Sequence, residues 1–279
     1  MRPSEVLRRA TSYLERHGVQ SPRRSAEILM EEVLGTDRAG LYARNEGLST
    51  AQSRAFGRAL CQRCAGVPLQ HLTGRQPFRG LDLAVRPGVF VPRPESEVLV
   101  QTALEKVGAL ERPIVVDVGT GTGAIALSIK QERPDAVVFA TDLSSEAVAL
   151  ARSNADRAGL DVTVIEGDLL SSLPSDLSRR IDVVVSNPPY VSTAEFAALP
   201  AEVLADPELS LDGGAGGVQV IERLARESPA WLRRGGFLVV EIGSEQGMDV
   251  SALLSDRFED VRVLPDLAGR DRVVAGRVR

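Results

Sequence analysis

The run Pro113-Ile114-Val115-Val116-Asp117-Val118 passes directly into Gly119-Thr120-Gly121-Thr122-Gly123. A short apolar stretch ending in glycines reads as a strand buried on both faces, and the glycines open a helix carrying Ile125 to Lys130. A strand that turns into a helix at a glycine cluster marks the switch point where open α/β sheets bind ligands. Outward from it the same alternation continues. A helix is expected over residues 98–107, and further strands over 136–141, 162–166, 181–186 and 237–242. Ser144-Ser145-Glu146 opens a helix that ends near Gly159. Near the end, 261–264 and 272–275 flank Asp266-Leu267-Ala268-Gly269-Arg270, which reads as a hairpin loop. The pattern predicts a mostly parallel sheet covered by helices on both faces, the final hairpin adding one antiparallel strand.

The front of the chain has another texture. Val6, Leu7, Ala10, Tyr13 and Leu14 recur at helical spacing, and Ser21-Pro22 starts a second pattern with Ala26, Leu29, Met30 and Val33. A third helix, 51–65, follows Ser49-Thr50, residues suited to capping. Residues 1–72 are therefore expected to form a small helical domain. Residues 73–94 read as a linker with two short strands. Within it, 78–85 suggests a hairpin turning near Gly80, and Pro87-Gly88 and Pro92-Arg93-Pro94 break the chain after it. Residues 95–279 make up the α/β domain.

At 279 residues, with 43% hydrophobic and 25% charged side chains, the composition is that of an ordinary globular enzyme. No apolar run approaches the ~20 residues that span a bilayer. The arginine-rich first 19 residues contain Glu5 and Glu15, which presequences avoid, so a cytoplasmic protein is expected. Net charge is -5, with Lys106 and Lys130 the only lysines; that balance weighs against nucleic acid as the substrate. Cys61 and Cys64 form a lone C-x-x-C with only His17 and His71 as imidazoles, too few ligands for a zinc site, and no metal is expected. They read as two small residues on a helix.

The chemistry sits at the carboxyl edge of the sheet. Glycines 119, 121 and 123, with Thr120 and Thr122 between them, let the backbone approach a ligand with no Cβ in the way. Asp117, an acid inside the strand, suits a charged amino-acid moiety, and Asp142 at the end of the next strand can accept from ribose hydroxyls. Dinucleotide enzymes place an acid there too. Asp168 is placed to accept from an adenine amino group while Leu169 packs on the ring; a surface-capping role is the competing reading for Asp168. The G-x-G-x-G spacing and Asp117 favour S-adenosyl-L-methionine over a dinucleotide.

Asn187-Pro188-Pro189-Tyr190 follows the strand at 181–186, hence lies at the same edge. An amide or ring-attached amino nitrogen is a poor nucleophile because its lone pair is delocalised. Two acceptors aimed at its N–H bonds, the Asn187 side-chain oxygen and the Pro188 carbonyl, raise its electron density and orient it. The prolines stiffen the turn, and Tyr190 can stack on the planar group. Asn187, Pro188 and Tyr190 are the expected catalytic residues, Pro189 joins them in binding the acceptor, and Asn187 also borders the donor. Positioning then supplies much of the rate enhancement.

These residues carry a resemblance that covers nearly the whole chain. Leu72-Thr73-Gly74 with Phe78, Pro87 to Glu97, the glycine turn, Asn187 to Tyr190, Leu211-Asp212-Gly213-Gly214 and Glu241-Ile242-Gly243 are similar to the protein-(glutamine-N5) methyltransferases that modify peptide chain release factors. Pro92 to Glu97 is the most family-specific segment, since the tetrapeptide also occurs in enzymes that methylate base amino groups. Ser96 stands where threonine is common, and Ala215 where the family often has an acid.

The resemblance implies a class I S-adenosylmethionine-dependent methyltransferase fold, with a seven-stranded sheet behind a helical substrate-recognition domain. It also implies methyl transfer to the glutamine amide of a Gly-Gly-Gln loop, in translation termination, leaving S-adenosyl-L-homocysteine. Pro94 to Glu97 would border the donor. The partner would be a release factor, with no membrane; a monomer is the working assumption. The alternatives are amino-group methylation of a nucleic-acid base, hinted at only by Arg23-Arg24 and Arg233-Arg234, and a module that binds without turnover.

Overall fold

The computed structural model describes residues 3–196, 198–200 and 202–279. Contacts group the chain into two units: the amino-terminal stretch to Arg75 together with Pro200–Ala205, and Gln76–Leu199 together with Asp206–Arg279.

The first unit contains five helices among the described residues, α1 (Pro3–Arg16), α2 (Pro22–Leu34), α3 (Arg38–Ala43), α4 (Thr50–Cys64) and α5 (Leu69–Thr73). Leu7, Ala10 and Leu14 of α1 and Ala26, Leu29 and Met30 of α2 are buried together with Leu41 and Phe56. Each branched aliphatic buried in this way contributes about 1.5–3 kcal/mol. Ser49 caps α4 in a reciprocal box with Gln52, which fixes where that helix begins. Cys61 and Cys64 lie on α4 as free thiols. Arg63 donates to Glu202 at 2.9 Å, tying the 200–205 stretch to this unit. The sequence pattern showed three of the five helices. The other two, α3 and α5, span too few residues to establish a period.

The hairpin β1 (Arg75–Phe78) and β2 (Leu81–Ala84) opens the second unit, apart from Arg75, which groups with the first. Its two-residue turn, Arg79-Gly80, has φ of 43° and 81°, the doubly left-handed turn that suits the twist of a hairpin. Next come α6 (Glu97–Val107), β3 (Ile114–Val118), α7 (Ala124–Glu132), β4 (Val137–Asp142), α8 (Ser145–Ala158), β5 (Thr163–Glu166) and β6 (Ile181–Ser186). The chain then runs through α9 (Thr193–Phe196), α10 (Gln219–Glu227), β7 (Leu232–Glu241), α11 (Gly247–Ser255), β8 (Phe258–Pro265) and β9 (Asp271–Val278).

Strand order in the sheet is β5-β4-β3-β6-β7-β9-β8. The five strands from β5 to β7 are parallel, and β9 runs antiparallel to both β7 and β8. This is the expected seven-stranded, mostly parallel sheet. Side chains alternate between its two faces. Val115, Val183, Val185 and Val239 join α6, α7 and α8 on one side, where Phe78, Leu81 and Leu83 of the hairpin also pack. Val116, Val118, Val184, Leu238 and Val240 join α10 and α11 on the other.

Strands β8 and β9 run longer than the 261–264 and 272–275 read from the sequence, and β7 departs from its reading the most. β7 starts at Leu232, five residues before the apolar run, because Arg233-Arg234-Gly235-Gly236 is carried on a register shift against β6. Gly236 is needed there, since a Cβ would sit 3.0 Å from the carbonyls of Ile181 and Asp182.

Candidate active site

The glycine turn is held against the neighbouring strand by its backbone. Gly119 and Thr120 both donate to the Thr141 carbonyl at the end of β4, at 2.8 and 3.0 Å. Gly119, Gly121 and Gly123 all have positive φ. A Cβ on Gly119 or Gly121 would meet nothing within 4 Å, so open space lies in front of both. On Gly123 it would press on Leu127 of α7 and Ala151 of α8, at 3.1 and 3.3 Å. Asn154, buried on α8, fixes the turn from behind: its amide donates to the Thr122 and Ala84 carbonyls and accepts from the Ala84 N–H.

Two acids flank the turn in different ways. Asp117 is completely buried; its Oδ2 accepts from Thr120 Oγ1 at 2.6 Å and from the Ala126 N–H at 3.2 Å. Its Oδ1 has no hydrogen-bond partner. Burial pushes this carboxyl up to about 7, against those two hydrogen bonds. Asp142 accepts from the Gly121 N–H at 2.8 Å and the Ser144 N–H at 2.9 Å, and burial raises its pKa too. Leu143 beside it is 56% exposed, an apolar side chain left uncovered at the site edge that the sequence reading did not single out.

Asp168 is exposed and its Oδ2 accepts from Arg223 of α10 at 2.7 Å. Leu169 adopts φ of 51°, uncommon for a branched residue, and Thr141 Oγ1 holds its carbonyl at 2.8 Å. A strained backbone next to the glycine turn is a usual mark of a ligand site.

Asn187 to Tyr190 leaves the end of β6 at the same edge. Asn187 Nδ2 donates to Ser96 Oγ at 3.1 Å. Neither the Asn187 side-chain oxygen nor the Pro188 carbonyl accepts a hydrogen bond from any described residue. Burial pushes the Tyr190 phenol up to about 12, so it stays neutral across the physiological range.

The tetrapeptide's backbone is gripped from outside. Val191 donates to the Leu211 carbonyl and accepts from the Gly213 N–H, making a short parallel bridge to Asp212. Gln246 Nε2 donates to the Tyr190 carbonyl at 3.0 Å. A Cβ on Gly213 would lie 2.6 Å from the Pro189 carbonyl, and one on Gly217 would overlap that of Tyr190. Gly213 and Gly217 therefore form a collar that fits only because it has no side chains there.

Behind the tetrapeptide stands Glu241, 1% exposed at the end of β7. Burial pushes it up to about 7, opposed by a hydrogen bond from Ser96 and by the charge of Arg272. Asp206 anchors the 91–93 turn through the Val91 N–H and the Arg93 guanidinium. Glu241 was visible in the sequence as a lone acid in an apolar strand, the signal that singled out Asp117. Asn154, Gln246 and Asp206 gave none, because the site residues they hold (Thr122, Tyr190 and Val91) lie 32, 56 and 115 residues away in the chain.

Three of the four arginines raised for a nucleic-acid cleft are engaged with acids. Arg23 and Arg24 bridge Glu27, Arg24 also bridges Glu31, and Arg233 bridges Asp182. No described helix is long and apolar enough to cross a membrane. No group of three or more potential metal ligands occurs among the described residues.

Residues 5–74 match the family model described as PrmC N-terminal domain, and residues 81–214 match the Methyltransferase small domain. The chain is 43% identical over 279 residues to the release factor glutamine methyltransferase of Deinococcus radiodurans, covering 99% of each. It is 42% identical over 273 residues to that of Moorella thermoacetica, covering 96% of this chain and 95% of that one. A solved methyltransferase from Pyrococcus furiosus superposes with a TM-score of 0.51 at 16% identity, over 71% of this chain and 89% of that chain, a likeness of fold alone.

Proposed function

Because this chain belongs to the release factor glutamine methyltransferase family, we propose that it methylates the side-chain amide nitrogen of the glutamine in the Gly-Gly-Gln loop of a peptide chain release factor. The observation that carries the reading is the pair of uncommitted acceptors, Asn187 Oδ1 and the Pro188 carbonyl, on a tetrapeptide pinned by Gln246 and the glycine collar.

The donor site fits S-adenosyl-L-methionine. Open space before Gly119 and Gly121 gives the backbone approach, Asp142 offers carboxylate lone pairs toward ribose hydroxyls, and the orphaned Asp117 Oδ1 awaits a partner. Thr120 and Thr122 belong to the same cradle, while Leu143 and Leu169 offer apolar cover for the adenine ring. Asp168 can take the adenine amino group only while sharing its carboxylate with Arg223. When bound, S-adenosylmethionine supplies an electrophilic sulfonium methyl.

The protein's part is to make the amide a competent nucleophile. Asn187 and Pro188 accept from the two amide N–H bonds, pushing density onto nitrogen and fixing its lone pair in line. Tyr190 and Pro189 wall the planar group, and the neutral phenol puts no charge beside the cationic donor. An N–H is exchanged for N–CH3 and one proton is released. The helical unit is assigned to recognition of the release factor, and the protein to the cytoplasm.

The test is incubation of the purified chain with methyl donor and purified release factors, or separately with nucleic acid. Peptide mass spectrometry is expected to place one methyl on the Gly-Gly-Gln glutamine. Methylated nucleic acid with unmodified release factor would overturn the assignment.

A further inference from the structure

The loop that follows β5 is fastened to the end of β4. Glu166 pairs with Asp142 across the two strands, the Gly167 N–H donates to the Asp142 carbonyl at 2.8 Å, and Thr141 Oγ1 holds the Leu169 carbonyl. Asp168 is thereby set beside the acid that offers its lone pairs to the ribose, and so beside the base which that ribose carries. Its own carbonyl accepts from the Ser171 N–H and hydroxyl at 3.1 and 2.7 Å, which fixes the backbone there.

The Asp168 side chain, 48% exposed, is free to turn unless something holds it. Arg223 does so, its Nη2 donating to Asp168 Oδ2 at 2.7 Å. The arginine stands one turn into α10, which is anchored by the buried Ile221, Leu224 and Ala225 and by the Gln219 N–H donating to the Gly213 carbonyl. Glu227, one turn further along the helix, lies 3.6 Å from Arg223 Nε. Asp168 Oδ1 accepts no hydrogen bond from any described residue.

Both oxygens of a carboxylate are acceptors. With Oδ2 taken by the guanidinium, Oδ1 is the one left, and its direction is set by the same contact. An exposed ion pair of this kind adds little to folding. Ordering a side chain before its ligand arrives, in contrast, removes that ordering cost from binding.

We propose that Arg223 is a positioning residue for the donor, holding the Asp168 carboxylate so that Oδ1 meets the amino group of the adenine. This rests on the reading of Asp168 as the adenine acceptor. It adds to the site a residue on α10 that touches neither donor nor acceptor.

The test is calorimetry on the full-length wild type, D168A, R223A and the double variant. Two ligands are compared, S-adenosyl-L-homocysteine and its analogue with hydrogen in place of the 6-amino group. R223A is expected to bind S-adenosyl-L-homocysteine about 3- to 10-fold more weakly, the range for one side chain that must now be ordered on binding. It should bind the analogue within about twofold of wild type, because the analogue gives Oδ1 nothing to accept. Added to D168A, R223A should make no further difference. In turnover with release factor, the donor KM of R223A should rise by the same factor while kcat changes less than about twofold.

A purely structural role for Arg223 would weaken both ligands alike, and that result would overturn the proposal. So would an R223A protein that binds S-adenosyl-L-homocysteine as tightly as wild type or more tightly, or a further loss when R223A is added to D168A. If D168A prefers the amino ligand as strongly as wild type does, the adenine reading of Asp168 fails and the proposal with it. If D168A loses that preference and R223A keeps it in full, only the role of Arg223 is refuted. A wild type that binds neither ligand refutes the donor site itself.

Discussion

Replacing Asp117 by asparagine should stabilise the free protein and weaken its donor site. The Asp117 carboxyl has no exposed surface, and burial carries it from an ordinary 3.8 up to about 7. An acid raised that far costs about 4 kcal/mol once ionised in the folded state. Between about pH 4 and pH 7 the folded chain keeps a proton that the unfolded chain has released. Stability from this group therefore falls as pH rises through that window and is level above it.

Asparagine retains one oxygen for Thr120 Oγ1 and the Ala126 N–H. Its NH2 takes the place of the orphaned Oδ1, and a buried neutral amide costs less than a buried charge. The advantage of D117N over wild type should be near zero below about pH 4, about 2 kcal/mol near pH 5.5 and at most about 4 kcal/mol above pH 7. Glu241 has the same pH slope, but it is common to both proteins and cancels in the difference. Urea titrations followed by Trp231, the only tryptophan and a residue of the methyltransferase unit, read that difference. An advantage that is the same at about pH 5.5 and pH 8 would falsify the assignment of the penalty to Asp117. Calorimetry should show the donor binding about tenfold more weakly to D117N, roughly the loss of one charge-assisted contact.

Other perturbations of the site have equally definite outcomes. Asn187→Ala should abolish methyl transfer and leave donor affinity within about twofold, because the side chain acts on the acceptor; retained turnover in a single-turnover assay contradicts the mechanism. Asp142→Ala should weaken donor binding by about 1–3 kcal/mol, and an unchanged Kd by calorimetry removes the ribose assignment. Gly217→Ala forces a Cβ onto the Tyr190 carbonyl from a backbone at φ of 70°. It should cost about 1–3 kcal/mol of stability and reduce kcat more than donor affinity, so a variant with normal kcat shows that the collar does not hold the tetrapeptide.

Much of the methyltransferase unit was legible because its strands are buried on both faces and its turns carry glycines that only a ligand or a tight approach requires. Asp117, Asp142 and Asn187 announced themselves as polar residues at the ends of apolar strands. Elements that are short or interrupted did not: α3 and α5 have too few turns for a period, and the first half of β7 reads as a polar glycine turn. Ser96, Gln246 and Asp206 owe their roles to partners far away in sequence, which no local pattern encodes. Asp168 could be placed but not interpreted, because its pairing with Arg223 depends on how α10 lies over the sheet edge.

The excursion of Pro200–Ala205 into the helical unit bears on how this protein can be dissected. Expressed from Gln76 onward, the methyltransferase unit would not be an excised continuous domain. It would carry a six-residue insert deprived of its neighbours, including the Arg63 that binds Glu202. The return of that insert at Asp206 is what anchors Val91 and Arg93. A clone intended to isolate catalysis from recognition therefore needs that insert replaced by a short polar bridge between Leu199 and Asp206.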